Sequence, residues 1–211
     1  MFSNRTKAGK LLAARLLKFA NESDLVLAVP RGGVPVAYEV AKELRLPIEI
    51  VLSKKIGHPM NKEFAIGAVG LTERYLIPHS EVPAGYIEEE TTRIRMRLKE
   101  MQQKFMGDKE PDNITGKTVI VIDDGIATGI TLIGTIRILR KSNPARIIVA
   151  APVASRSAVE KLSLEVDELI VLRIPKTFPG VGAFYKDFTQ VTDEEVLFYL
   201  NKLNLELKKA S

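Results

Sequence analysis

Hydrophobic positions along this chain fall into two patterns, consecutive runs and positions spaced three and four apart. Leu25 to Val29 and Val119 to Ile122 are uninterrupted apolar runs, the composition of strands buried on both faces. Ile48 to Leu52, Arg146 to Ala151 and Val166 to Leu172 supply three more short strand patterns. Helical spacing fills the intervals. Lys7 to Ala20 places Leu12, Leu16 and Phe19 on one face, with Asn4 or Thr6 as cap. Val34 to Leu44 and Ile130 to Leu139 repeat the pattern, and Ser155 opens another helix that runs through Leu162. Ile87, Thr91, Ile94, Leu98, Met101 and Phe105 form a longer seam, suited to a core or a dimer contact. Thr192 with Glu195 makes a capping box, flanked by Val191 and Val196 as a staple, and predicts a last helix to about Leu207. Strands alternating with helices of this length require a parallel sheet with right-handed crossovers and helices on both faces. The expected fold is therefore a three-layer α/β architecture with a mostly parallel, twisted sheet.

Two regions break the alternation. From 53 to 83 glycines and prolines punctuate the chain, with strand-like pieces at Phe64 to Val69 and Tyr75 to Ile77, so an excursion with a hairpin is expected. From Arg173 to Phe188 the chain is rich in glycine and aromatics and follows neither period. Gly107 to Gly116 reads as a polar connector.

Composition narrows the chemistry. With 211 residues and 45% hydrophobic content the chain suits one good core, and a single domain over 1–211 is expected. There is no cysteine and there are two histidines, which excludes thiol nucleophiles and makes a histidine-rich metal site an unpromising expectation. No apolar run approaches the roughly eighteen residues of a membrane span, and the Leu11 to Ala20 segment lacks the form of a secretory signal, so the expected location is cytoplasmic. The net charge of +5 is spread along the chain without basic runs; it suits a polyphosphate substrate, and a nucleic-acid partner is not expected.

The chemistry concentrates after the Val119 to Ile122 run. Asp123 and Asp124 stand at the carboxyl end of that strand, where open α/β sheets bind ligands. Gly125, Ile126, Ala127, Thr128 and Gly129 follow as a small-residue turn, and Ile130 opens a helix. Free amides and the positive end of the helix dipole make such a turn an anion site, to which Thr128 and Thr131 add hydroxyl donors. Two carboxylates beside a phosphate need something between them. A ribose diol with a magnesium ion close by meets that need, so the implied ligand is a ribose 5-phosphate. A second strand–glycine–helix junction occurs at Arg31, Gly32 and Gly33, where glycine admits a close backbone approach and arginine offers a donor fork for phosphate oxygens. Lys54 and Lys55 end a strand on the same rim. Gly116, Lys117 and Thr118 precede a strand instead of opening a helix, which rules out a P-loop NTPase.

The stretch from Val119 to Thr131, VIVIDDGIATGIT, resembles the signature of the type I phosphoribosyltransferases at every position. The resemblance implies that Asp123 and Asp124 hold the ribose hydroxyls of phosphoribosyl pyrophosphate (PRPP) and that Gly125 to Gly129 with Thr131 hold its 5-phosphate. Arg31, Gly32 and Gly33 then occupy the place of the pyrophosphate loop, which in that family often carries a cis peptide, with Lys54 and Lys55 beside them. It implies transfer of the phosphoribosyl group to a nitrogenous base, purine-like, with Asp123, Asp124 and Arg31 as catalytic residues. Mg2+ is the implied cofactor, held at Asp123 and Asp124 mostly through PRPP and water. It further implies a mobile loop over about 53–83, a sixth edge strand, and a hood over about 173–188 in which Lys176 and Phe178 contact the base. Phe184 and Tyr185 are further stacking candidates there, and a homodimer is expected. In the hypoxanthine-guanine branch an aspartate stands where this chain has Ala127, so no general base is assigned and the 6-oxopurine acceptor is not supported. The alternative is a PRPP-sensing regulator that binds without transferring and contacts nucleic acid through its basic faces.

Overall fold

The computed structural model describes residues 1–210. The consecutive apolar runs become the strands of one parallel sheet: β1 (Leu25–Ala28), β2 (Ile48–Ile50), β6 (Thr118–Ile122), β7 (Arg146–Val153) and β8 (Glu168–Arg173). Their spatial order is β2-β1-β6-β7-β8. Counted among parallel strands alone this is the order 2-1-3-4-5, whose direction reverses between β1 and β6. Ligands of open α/β sheets bind in the crevice that this reversal opens at the carboxyl ends of the strands. The register pairs Leu25 with Val119 and Ala28 with Ile122, so β1 and β6 end side by side.

Alternate residues of each strand enter two different cores, which is why the runs are apolar throughout. Val26, Ala28, Ile120, Ile122, Ile148 and Ala150 face one core with α1 (Arg5–Leu16), α2 (Gly33–Leu44) and α6 (Asp193–Ala210). Leu25, Leu27, Val119, Val121, Ile147 and Val149 face the other, with α4 (Ile130–Arg140) and α5 (Arg156–Leu162). The one polar member of these strand centres, Glu49 on β2, is 3% exposed. It is compensated by an ion pair with Lys109 and by the Asp112 amide at 3.0 Å, which fasten the 107–116 connector over the sheet edge.

The excursion after β2 is a second, three-stranded antiparallel sheet in the order β3-β4-β5, made of β3 (Ser53–His58), β4 (Asn61–Gly70) and β5 (Arg74–Leu76). The expected hairpin is present as β4 and β5. The segment read as a mobile loop is thus strand over most of its length, with an additional strand, β3. It packs on α4, where Gly134 lies so close that a Cβ there would come within 2.4 Å of the Ala68 methyl. Among the described residues no sixth strand joins the parallel sheet, which corrects the edge strand expected from the resemblance. The seam of α3 (Ala84–Met106) buries Thr91, Ile94, Leu98 and Phe105 in the core. No helix among the described residues is long and apolar enough to cross a membrane.

The predicted caps form, that of Ser155 through the Ala158 amide at 3.1 Å. Asn4 accepts from the Lys7 amide at 2.9 Å, which settles the choice between Asn4 and Thr6. At α6 the Thr192 amide donates to Glu195 Oε2 at 2.8 Å and the Glu195 amide to Thr192 Oγ1 at 3.2 Å. Thr192→Ala is expected to lower the unfolding free energy by about 1 kcal/mol, read from the midpoint of urea unfolding. An unchanged midpoint would show that α6 is held by its packing alone.

Candidate functional site

The turn after β6 is shaped by what β7 takes from it. The Ile126 amide donates to the Val153 carbonyl at 2.9 Å, the Ser155 amide to the Ile126 carbonyl at 2.9 Å, and the Ser155 hydroxyl to the Ala127 carbonyl at 2.5 Å. Carbonyls are therefore drawn toward β7 and α5. Gly129 adopts φ 71°, in the left-handed region, and this reverses the chain into α4. The first bond of that helix runs from the Ile133 amide to the Gly129 carbonyl at 2.8 Å. Among the described residues the amides of Ala127, Thr128, Gly129, Ile130, Thr131 and Leu132 meet no protein acceptor. Thr128 and Thr131 are exposed beside them. These donors at a helix opening form the anion slot expected from the sequence. Ile126 does not belong to the slot: its side chain is buried in the core and its amide is used by β7. Gly125 faces the hood instead, where a Cβ would come within 2.3 Å of Val181.

Read from the sequence, the two carboxylates are equals; the structure separates them. Asp123 borders a cavity of about 380 Å3 at the crevice between β1 and β6. One of its oxygens accepts the Asp124 amide at 2.8 Å. Burial, together with the neighbouring Asp124 carboxylate, pushes its pKa well above the usual carboxylate range. Asp124 is turned away from that cavity. Its Oδ2 lies 2.7 Å from Arg5 Nε, with the two side chains 12% and 11% exposed, and its carbonyl accepts the Tyr185 hydroxyl at 2.6 Å. In this structure the Asp124 carboxylate, for which the resemblance implies a ribose and metal contact, is paired with Arg5.

The junction after β1 lies against the acid pair. The Pro30–Arg31 peptide is cis. A Cβ on Gly32 would come within 2.1 Å of Asp124 Oδ2, and one on Gly33 within 2.7 Å of the Ile122 carbonyl oxygen. Only glycine at both positions lets the two loops touch. Pro30 borders the same cavity, as do Lys54, Lys55 and Thr131, while Leu98, Met101 and Leu132 supply an apolar wall. The Arg31 guanidinium is 41% exposed and points toward α6, where it meets Asp193 at 3.3 Å. Asp193 also pairs with Lys104 at 2.5 Å.

The hood is present, but its aromatics pack on each other. Phe178 and Phe184 stand 5.3 Å apart and Tyr185 and Phe188 5.1 Å apart. Tyr185 is buried and hydrogen-bonded to Asp124, so it is not a stacking surface for a base. Phe178 and the exposed Lys176 do not border the cavity of Asp123. Arg5 and Ser155 hold the site together, yet they carry little signal in the sequence. Arg5 lies 119 positions from its partner, and Ser155 reads as a helix cap, a role it also fills through the Ala158 amide at 3.1 Å.

The site thus combines an anion slot, a carboxylate, and two lysines around one crevice. The profile of the phosphoribosyl transferase domain matches residues 4–178, which take in every one of these groups. The chain belongs to the phosphoribosyl transferase domain family. Within that family it is 30% identical over 215 residues to two Mycobacterium tuberculosis proteins, from strains CDC 1551 and H37Rv, provisionally named phosphoribosyl transferases. All of this chain is covered in that match but 48% of the relatives, so the chain spans about half the length of these curated relatives. The crystal structure of TT1426 from Thermus thermophilus superposes with a TM-score of 0.88 at 39% identity, over 96% of this chain and 99% of that one. A shorter match, 44% identity over 61 residues, links 28% of the chain to 22% of the ribose-phosphate pyrophosphokinase of Pyrococcus furiosus. The phosphoribosyl transferase domain accounts for the arrangement of the two loops; it leaves α6 outside the matched residues.

Proposed function

We propose that this phosphoribosyl transferase domain moves the 5-phosphoribosyl group of PRPP to a nitrogenous base and releases pyrophosphate. The observation that carries the reading is convergence: Thr131 and Leu132, at the end of the unpartnered amide run that opens α4, line one cavity with Asp123, Lys54 and Lys55 at the reversal of strand order. The 5-phosphate takes the Ala127–Leu132 amides, with Thr128 and Thr131 donating to its remaining oxygens. The ribose diol donates to the free oxygen of Asp123. Lys54 and Lys55 face the pyrophosphate, and Arg31 is within reach of it if it leaves Asp193. A nitrogen of the base forms a bond to the anomeric carbon as the bond to pyrophosphate breaks, and the pyrophosphate oxygen keeps the electron pair. Positive charge develops on the sugar, and Asp123 lies on the side where an anion stabilises it.

Among the described residues no group of three or more acidic or histidine side chains could cage a metal. Magnesium fits here in a different way, since it commonly binds one carboxylate together with substrate phosphates and water. Asp123, which keeps one oxygen toward the cavity, is the residue that would hold it. When bound, the ion offsets charge on the leaving pyrophosphate. Ala127 offers no side-chain proton acceptor, so no general base is assigned and the proton of the attacking nitrogen passes to solvent. The resemblance points to a purine-like base.

A panel of bases incubated with PRPP and magnesium, followed by pyrophosphate release, tests the reading. Release that depends on one base is expected. Tight PRPP binding without release for any base would replace the enzyme with a non-transferring PRPP sensor.

A further inference from the structure

We infer that β8 is a docking edge for a second copy of this chain, which pairs with it antiparallel about a two-fold axis at Ile170. β8 is the outer strand of the parallel sheet, and its ladder runs to β7 alone. The opposite edge is protected: β2 has three residues, and the 107–116 connector is fastened over it at Glu49. Short or covered strands are how native sheets blunt their edges. β8 has six residues, and Leu169 to Leu172 at its centre are each only half-buried, whereas β7 is buried from Ile147 to Val153. A hollow of about 200 Å3 lies along those four residues beneath Arg15 and Lys18, and Ile174, directly after the strand, is exposed. The α3 seam, the other candidate in the sequence for a contact between copies, is taken up by the core.

The backbone decides the occupant and the register. The Asp167 amide donates to the Ile147 carbonyl at 3.0 Å and the Arg173 carbonyl accepts the Ala154 amide at 3.1 Å, so the odd-numbered residues turn their backbone groups to β7. Alternation sends those of Glu168, Ile170 and Leu172 outward, where among the described residues no backbone group meets them. A two-fold axis normal to the sheet keeps each side chain on its own face, so opposed residues must share the parity of their numbers. Centred on Ile170, the axis sets Ile170 against itself and Glu168 against Leu172 of the second copy, and every outward donor and acceptor finds a counterpart. The ends match in charge as well, since Asp167 and Glu168 lie beside Arg173 of the second copy. This match of the strand to its own reverse selects a second copy over an unrelated peptide. The strands of the two copies then run in opposite directions, so their crevices open at opposite ends and both stay free. The inference does not depend on the proposed transfer.

Sedimentation velocity across the micromolar range reads the assembly of the full chain and of Ile170→Lys, which sets like charges against each other on the axis. The unsubstituted chain is expected to sediment as a dimer, and Ile170→Lys to weaken that dimer about tenfold or more. Because the chain has no cysteine, an introduced one reports the register. Opposed residues of a hydrogen-bonded pair have Cα atoms about 5.5 Å apart, within the reach of a disulfide, so Ile170→Cys is expected to form covalent dimers on mild oxidation. Glu168→Cys, whose two copies would be displaced by roughly 13 Å along the strands, is expected to stay unlinked. If Ile170→Lys does not fold, the two cysteine variants decide. A monomeric unsubstituted chain, which would leave the edge to a peptide from another protein, overturns the inference. So does a dimer that Ile170→Lys leaves intact, an unlinked Ile170→Cys, or linkage of Glu168→Cys equal to that of Ile170→Cys.

Discussion

Gly33→Ala is expected to cost about 1–3 kcal/mol of stability and to abolish measurable binding of PRPP. A Cβ at this position would lie 2.7 Å from the Ile122 carbonyl oxygen and 3.1 Å from the Asp123 Cα. Both obstacles are backbone, at the end of the central strand β6, so neither can rotate away. Relief requires moving the start of α2 off β6, and this spreads the crevice that sets Pro30 opposite Asp123. Gly32→Ala is expected to act differently, because the atom it meets is the Asp124 carboxylate at 2.1 Å. That group can turn, at the expense of its bond to Arg5, so binding should suffer more than stability. Gly85→Ala on α3, where no atom lies within 4 Å of the added carbon, is the control and should leave both properties unchanged or slightly improve stability. Denaturant unfolding and calorimetry read both effects. Unaltered binding and midpoint in Gly33→Ala would mean that the two loops do not depend on direct contact.

The second large effect is a gain. Asp123→Asn is expected to raise stability at neutral pH, because it removes a buried charge, while removing the stabilisation that PRPP confers. Asp123 has a folded-state pKa raised from its ordinary value of 3.8, by burial first and then by Asp124. The folded chain therefore holds this proton more tightly than the unfolded chain does. The resulting penalty is absent below the unfolded value, grows as pH rises toward the folded one, and is complete above it. An asparagine carries no such charge, and its side-chain oxygen can still accept the Asp124 amide. The advantage of the variant should thus be present at pH 7 and vanish near pH 3.5. In the unsubstituted chain, ligand at a hundred times its dissociation constant should add about 2.7 kcal/mol; in the variant that increment should be missing. Thermal unfolding with and without PRPP across this pH range checks both halves. A variant less stable than the unsubstituted chain at pH 7 would show that the Asp123 charge is not a burden.

What could be read in the sequence was whatever short-range physics decides. The double-faced burial of Val119 to Ile122, the glycine-rich turn, the Asn4 cap and the Thr192–Glu195 box each involve neighbours a few residues apart, and each is found in place. The small antiparallel sheet was only half legible. Ser53 to His58 has no alternating apolar pattern, because β3 is largely half-exposed and owes its strand form to pairing with β4. Its register shifts at Gly57, where a Cβ would meet the Lys62 backbone at 2.4 Å. The unequal surroundings of the two acids were not legible at all. They depend on Arg5, Tyr185 and Gly32 arriving from three distant parts of the chain, and a pair written as adjacent letters gives no sign of which one faces protein. The same applies to Arg31, whose ion pair with Asp193 spans 162 positions. Phe178 looked like a platform for a base because aromatics in an irregular segment have that use; its packing against Phe184 depends on how the hood folds back on itself.

Central to the account is one division of labour, in which the amides opening α4 hold a phosphate while Asp123 accepts from the sugar's hydroxyls. Titration calorimetry with ribose 5-phosphate and with 2-deoxyribose 5-phosphate measures it without any catalysis. The unsubstituted chain should bind the ribose compound about tenfold more tightly or better, the worth of a hydrogen bond to a charged acceptor, and Asp123→Asn should bind both alike. Equal affinity for the two sugars in the unsubstituted chain, or a preference that persists without the Asp123 carboxylate, would contradict the assignment.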